Sequence, residues 1–335
     1  MTDTSLREFL LLLPKTETHL HLEGAVPYWL YQKYVPDLPR GANPVEDPEF
    51  RYAEFDEFNE RLLSCALPFF VSLERYREAA HVVFRECQAQ GVRYLEVSFH
   101  LGIVMGISNL HPEEVIQAIL EEAPSGLEVR VYAGLAHNDY NSPLKGWIDE
   151  SPEWKSLFGL DLHGPETLPF EDWTAEVWRV NREQGKSNRA HAGEFRGADF
   201  VETVVRDLQV KRVAHGVRAI ENPATVALVK EEGVTFDVCP ISNWKLRVGS
   251  IERMSDHPVR KLFDEGVRVT ISTDDPTFFG NCLIDDYEML YKHCGFSRSE
   301  LVQIARNGFE VADLSFSQKA SFELELDRIE DGLEG

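Results

Sequence analysis

Positive charge is scarce in this chain: 34 lysines and arginines stand against 57 aspartates and glutamates, for a formal net charge of −23. A polyanionic backbone or an anionic bilayer would be repelled at long range, so nucleic acid and membrane are disfavoured as partners and a small, neutral or weakly charged molecule is favoured. Cysteine is also sparse. The five, Cys65, Cys87, Cys239, Cys282 and Cys294, are an odd number, widely spaced, with no C-x-x-C pair. That pattern fits reduced thiols and a cytoplasmic setting rather than a disulfide framework. Long apolar runs are missing as well. Near the N-terminus, Phe9 to Leu13 follows the acidic Asp3 and Glu8 and is closed at once by Pro14 and Lys15, too short for a signal peptide core or a membrane span. With no internal repeat, low-complexity stretch or linker to divide them, residues 1–335 are expected to form a single domain. No signal for an oligomeric state is present.

What the chain does contain is alternation. Short apolar or β-branched runs recur at Glu17 to Leu22, Val92 to Phe99, Leu127 to Leu135, Leu157 to Leu162, Asn188 to Ala192, Arg212 to His215, Val234 to Cys239 and Val267 to Ser272, each a candidate strand. Between them lie helix-like stretches such as Leu73 to Gln90, His111 to Ala123, Glu171 to Gly185, Phe200 to Leu208, Pro223 to Gly233 and Pro258 to Gly266, several closed by glycine. Strand and helix in strict turn imply a parallel sheet of class α/β, and eight such units suggest a (β/α)8 barrel; a doubly wound open sheet satisfies the same periodicity. Two extras are predicted: a segment from Val26 to Cys65 after the first strand, able to roof the barrel mouth, and a helical region from Asp285 onward. The aromatics of the first extra, Tyr28, Trp29, Tyr31, Tyr34, Phe55 and Phe58, are expected mainly to pack.

The first strand ends in His19-Leu20-His21, and residues i and i+2 of a strand share a face, so both imidazoles project into one space. Alone such a pair is weak evidence. The other strand ends strengthen it: His191 ends the fifth, His215 the sixth, and Asp274 and Asp275 follow the eighth. Imidazoles and a carboxylate from separate strand ends make a nitrogen and oxygen ligand set suited to Zn²⁺ with room for water, at the barrel face where catalytic residues gather. Barrel hydrolases with two bridged metals place a lysine at the end of the fourth strand. Here that end reads Leu160-Asp161-Leu162-His163-Gly164-Pro165, so a single metal is expected and one mouth histidine is left for another role. Glu194, three residues beyond His191, is placed to act as a general acid, since dry surroundings raise a carboxyl pKa.

Six ordered motifs now carry a resemblance: Pro14 to Gly24 (PKTETHLHLEG), Asp161 to Glu166 (DLHGPE), His191 to Glu194 (HAGE), Ala214 to Val217 (AHGV), Cys239 to Asn243 (CPISN) and Ser272 to Pro276 (STDDP). Over nearly its whole length the chain resembles the adenosine deaminases. That resemblance implies one Zn²⁺ per chain held by His19, His21, His191 and Asp274, with His215 orienting and polarising the metal's water. It implies that Glu194 protonates N1 of the purine, that Asp275 hydrogen-bonds N7, and that the backbone N–H of Gly164 reaches N3, with His21 and Glu23 bordering the substrate. The implied reaction replaces the 6-amino group of a 6-aminopurine nucleoside with oxygen and releases ammonia. Two stretches point to different branches. Gly159 to Glu166 resembles nucleoside-acting members, whereas Cys239 to Leu246 resembles adenine deaminases, and Glu23 stands where many nucleoside-acting members have aspartate. Free adenine and aminodeoxyfutalosine are therefore the alternative substrates, and His163 is a candidate pocket residue. A two-metal ester or amide hydrolase and a nucleoside-binding protein with a dead site are the remaining readings. The first lacks its lysine, and the second requires a lost ligand where none is lost.

Overall fold

A computed structural model describes residues 5–107, 110–249 and 251–334. All eight expected strands form: β1 (Lys15–His21), β2 (Val92–His100), β3 (Glu128–Ala136), β4 (Gly159–His163), β5 (Arg189–Ala192), β6 (Arg212–His215), β7 (Thr235–Val238) and β8 (Arg268–Ile271). They pair in parallel in chain order. The ends of the sheet meet where Leu20 bridges Asp274. The His21 N–H donates to the Asp274 carbonyl at 3.0 Å and the Asp274 N–H to the His19 carbonyl at 3.2 Å. Those bonds rule out the open doubly wound sheet and leave a (β/α)8 barrel, sewn shut by residues singled out for chemistry.

The strands form where short runs of Val, Ile, Leu and aromatic side chains can be buried on both faces, as a parallel sheet wrapped in helices demands. Helices occupy the predicted intervals, including Leu73–Ala89, Pro112–Leu120, Trp173–Glu183, Pro223–Glu231 and Val259–Asp264. Gly91, at φ +86°, turns the first of these into β2, and a Cβ there would lie 2.8 Å from the Leu13 carbonyl oxygen. The extra segment after β1 folds into helices Leu22–Ala25, Tyr28–Tyr34 and Phe55–Phe69, and the C-terminal region into Leu283–His293, Arg298–Val311 and Phe316–Glu334. No helix among the described residues is long and apolar enough to cross a membrane.

Two features go beyond the strand pattern. Pairing of β1 with β2 steps from Glu17↔Leu95 to Leu20↔Val97, one more residue on β1 than on β2, which is a bulge of the kind that re-aims side chains beside active sites. It lets Thr18 point into the barrel floor while His19 and His21 still meet at the mouth. The floor itself is charged rather than apolar. Arg189 pairs with Asp161 at 2.8 Å and lies 3.7 Å from Glu96, and Arg212 bridges Glu96 at 3.2 Å and Asp237 at 2.5 Å. Thr18 and Thr270 donate to Asp237 at 2.9 and 2.7 Å. Buried charge is costly unless paired and bonded; here two guanidiniums answer three carboxylates directly beneath the mouth.

Candidate active site

Each mouth histidine ends a strand or follows the bulge, so its position is set by the barrel and not by a mobile loop. The ring of His19 lies 5.1 Å from that of His21, 4.7 Å from His191 and 4.9 Å from His215, centroid to centroid. His19 Nε2 is 3.2 Å from His21 Nε2 and 3.1 Å from Asp274 Oδ1, and His21 Nε2 is 3.3 Å from the same oxygen. Tetrahedral zinc with donors at about 2.0–2.1 Å separates its ligand atoms by roughly 3.3 Å, so the spacing fits an ion among them. His19, His21 and His191 also present ring nitrogens within 4.8 Å of one another. Two of the residues involved are bent into left-handed backbone that side chains rarely adopt, His215 at φ +65° and Asp274 at φ +70°. Strain of about 1–3 kcal/mol per residue persists where surrounding structure over-determines it, and it clusters at functional sites.

A ring of polar partners fixes these groups. Ser98 Oγ lies 2.9 Å from His21 Nδ1, Asn243 Nδ2 3.0 Å from His215 Nδ1, and Ser242 Oγ donates to Asp274 Oδ2 at 2.7 Å. Asp161 Oδ1 faces His191 Nε2 at 3.5 Å, while its other oxygen holds Arg189. Glu166 accepts three backbone N–H bonds from the turn that carries Glu194. None of these five partners stands out as a site residue by strand-end reasoning. Ser242, Asn243, Asp161 and Glu166 lie inside the motifs, but Ser98 has no sequence signal beyond its place in β2.

Burial sets the protonation states. It lowers the pKa of His19 and His191 and takes His215 down to about 3, so these imidazoles are neutral, as ligands and hydrogen-bond acceptors must be. Burial would depress His21 too, but the acidic groups Asp275 and Asp274 beside it outweigh it and push it up to about 9, a proton that a cation bound at its ring nitrogen would displace. Asp274 resists its burial because His19 and His21 bond to it, which holds it well below the ordinary range. The opposite holds for Glu194, which burial raises well above its usual value, reinforced by the charges of Asp274, Glu166 and Asp275. Asp275 is likewise raised by burial and by Asp274, against the pull of His21.

All the residues predicted for the site face one cavity of about 260 Å³, except His19, which lies sealed at its floor. Glu194 Oε2 is 3.5 Å from His215 Nε2. Gly164, at φ +83°, contributes backbone beside His163, whose ring stacks on His21 at 5.2 Å. Of the roofing aromatics, Phe55 and Phe58 line this cavity, whereas Tyr31 is fully buried and Tyr28 and Trp29 border a different one. That second cavity, about 470 Å³, lies on the outer side of the β1 and β8 seam and has none of the histidines. Several lining residues, Asn59, Asn138 and His100 among them, escaped the sequence reading. His100 ends β2 as His191 and His215 end their strands, and its N–H donates to Glu23 Oε1 at 2.9 Å. The rule that found those two histidines would have found it.

A barrel with this mouth is the architecture of metal-dependent hydrolases, and the comparisons narrow it. The adenosine deaminase family model matches residues 14–329, and the chain belongs to that family. It is 29% identical to an adenine deaminase of Aspergillus fumigatus, covering 99% of this chain and 98% of the relative. It is also 29% identical to an adenosine deaminase of Plasmodium falciparum, covering 87% and 83%. Among solved structures, an amidohydrolase from Burkholderia ambifaria with bound Zn superposes with a TM-score of 0.84 at 24% identity, covering 100% of this chain and 96% of that one.

Proposed function

We propose that this chain, acting as one domain, catalyses hydrolytic deamination at C6 of a 6-aminopurine: water adds at C6, the C6–NH₂ bond breaks, and the 6-oxo product and ammonia leave. The observation that carries the reading is Glu194, a carboxyl kept protonated by burial, set 3.5 Å from neutral His215 in the cavity that gathers the metal-binding set. An ester or amide hydrolase has no ring nitrogen N1 for such an acid to protonate. His19, His21, His191 and Asp274 would hold one zinc ion per chain, consistent with their spacing and with the Zn bound by the Burkholderia ambifaria protein. When bound, zinc supplies Lewis acidity and brings the pKa of water towards neutrality.

The chain's own groups do the rest. Glu194 gives its proton to ring N1, which draws electron density from C6 as the water oxygen adds. His215, neutral, accepts at Nδ1 from the Asn243 amide, so its proton sits on Nε2, from which it orients and polarises the water. The proton that water gives up passes to the Glu194 carboxylate left after N1 is protonated. N7 and N3 of a purine are acceptors and need donors: the Asp275 carboxyl, whose pKa burial raises, supplies one, and the Gly164 N–H supplies the other. Closure under Phe55, Phe58, Leu62 and Leu63 excludes bulk water and strengthens each of these bonds.

The group on N9 divides the reading. Beyond the metal-binding set the cavity offers Glu23, Asn59, His100 and Asn138 as polar partners, which suits a sugar and favours an N9-substituted purine such as adenosine. The bond from the His100 N–H already occupies one Glu23 oxygen, and this favours free adenine, the substrate named for the Aspergillus fumigatus relative. Ammonia release from adenine, adenosine, 2′-deoxyadenosine, adenosine monophosphate and aminodeoxyfutalosine decides both questions. Turnover of at least one is expected, with the N9-substituted compounds ahead of adenine. No ammonia from any of them overturns the deaminase reading, and adenine equal to or above every nucleoside overturns the sugar contact.

A further inference from the structure

Glu166 is fully buried in the loop after β4 and does not line the cavity, so it touches neither substrate nor metal-binding residues from within it. Its carboxyl is nevertheless fully engaged. Oε1 accepts the Glu194 N–H at 3.1 Å, and Oε2 accepts the Phe195 N–H at 3.1 Å and the Arg196 N–H at 2.6 Å. The same turn is gripped on its carbonyl side. Arg218, three residues beyond His215, donates from its side chain to the Phe195 carbonyl at 2.6 Å and from its backbone N–H to the Gly193 carbonyl at 3.0 Å. The Gly193 to Arg196 turn is thus held between the loops that follow β4 and β6.

We propose that Glu166 is a positioning residue for the general acid: it fixes where the Glu194 carboxyl stands relative to the substrate's N1. The inference rests on the reading of Glu194 as the acid. Burial raises the Glu166 pKa to about 7 against the pull of these three N–H bonds, so the grip is complete above that pH. Both Glu166 oxygens face backbone donors, so an amide in its place must turn its NH₂ against either the Glu194 N–H or the Phe195 and Arg196 pair. Two donors repel, and the turn must shift. A misplacement of about 1 Å from outside the reacting centre can cost about 100-fold in rate.

The test is a double-variant cycle on the full chain loaded with zinc, following ammonia release from whichever of adenine and adenosine is turned over faster. Glu166→Gln should lower kcat about 100-fold, with zinc content unchanged and KM within threefold of the parent. In a Glu194→Gln background the same substitution should change kcat by less than threefold, because there is no longer an acid to misplace. A loss that multiplies fully onto Glu194→Gln, or Glu166→Gln keeping more than half of the parent kcat, overturns the proposal. Should the Gln variant fail to fold, Glu166→Asp reads the same cycle. It retains both oxygens one methylene short, so about a tenfold kcat loss is expected, again vanishing beside Glu194→Gln, and an unchanged or fully multiplicative kcat overturns the inference. Failure of the underlying reading is separately visible, since Glu194→Gln alone would then keep most of its turnover.

Discussion

A single methyl group placed at residue 24 should disable the site without removing any functional group. Gly24 sits in the helical turn Leu22–Ala25 that follows β1. It is not among the residues with positive φ, so alanine is compatible with its backbone and, as the better helix former, should stabilise the turn by itself. The obstacle is purely spatial. A Cβ there would lie 1.8 Å from Asp275 Oδ1 and 2.4 Å from Asp275 Cβ and Cγ. Reaching ordinary contact near 3.4 Å requires a displacement of about 1.6 Å, more than the hydrogen bond from Asp275 to purine N7 can survive. Leaving purine N7 unpaired in a buried site costs about 1–3 kcal/mol, equivalent to about 5- to 150-fold in kcat/KM at 1.36 kcal/mol per decade. Gly24→Ala should therefore lose kcat/KM by that factor in the ammonia-release assay while keeping its zinc. Asp275→Gly should lose as much, and the double variant no more than Asp275→Gly alone, because only removal of the side chain from Cβ outward clears the clash. Gly24→Ala within twofold of the parent, or a double variant several-fold worse than Asp275→Gly, would refute the placement of Asp275 against the substrate.

Ser98→Ala should leave the fold intact but weaken zinc binding by about 10- to 100-fold, the usual cost of losing a partner that orients a metal-bound imidazole, since Ser98 Oγ is the group held at 2.9 Å from His21 Nδ1. Competition with a chelator measures it, and unchanged affinity removes Ser98 from the site. Lys15 predicts a pH effect. Burial takes its pKa from the ordinary 10.5 down to about 7, with the ammonium bonded to the Leu13 carbonyl at 2.7 Å and to that of Leu10. Between those two values the unfolded chain keeps a proton the folded chain has released, so this group's contribution makes stability rise with pH across that window. Melting temperatures of the parent should accordingly gain on those of Lys15→Met from pH 7 towards pH 10, and parallel curves would show that Lys15 does not titrate in this way.

How much was legible in the sequence depends on the range of the forces involved. The eight strands were readable because a barrel strand must bury short β-branched runs on both faces, and their ends follow from the glycine and polar residues that stop them; β6 falls at Arg212–His215 as expected, and the others differ by one or two residues. The metal-binding histidines were readable because a strand end is a fixed address in a barrel. The bulge in β1 was not, since one extra residue against β2 is a property of the pairing and leaves no periodic trace. Nor was the charged floor. Arg189, Arg212, Glu96 and Asp237 are visible as charges inside strands, but that they answer one another depends on stagger around the whole barrel. Glu166 was visible only as the last letter of a motif, because its role lies in three backbone N–H groups that no side-chain pattern encodes.

The barrel's closure and its proposed metal site are one construction. Below the mouth the seam between β1 and β8 is carried by side chains: the Thr18 N–H donates to Ser272 Oγ at 3.1 Å, and the Thr273 N–H to Glu17 Oε1 at 3.0 Å. Backbone ladder bonds across the seam occur at its mouth end, between His19, His21 and Asp274. These are three of the four residues proposed to hold zinc. Forming the ladder there forces Asp274 into its left-handed backbone at φ +70°, and that bend is what carries its carboxylate to within 3.1 Å of His19 and 3.3 Å of His21. A cation at that point would neutralise the carboxylate that the seam has forced out of water, while the seam holds three ligands at the spacing the cation needs. Fold and site thus stabilise each other, which explains why Asp274, one of the strained residues of this chain, is found where the last strand returns to the first.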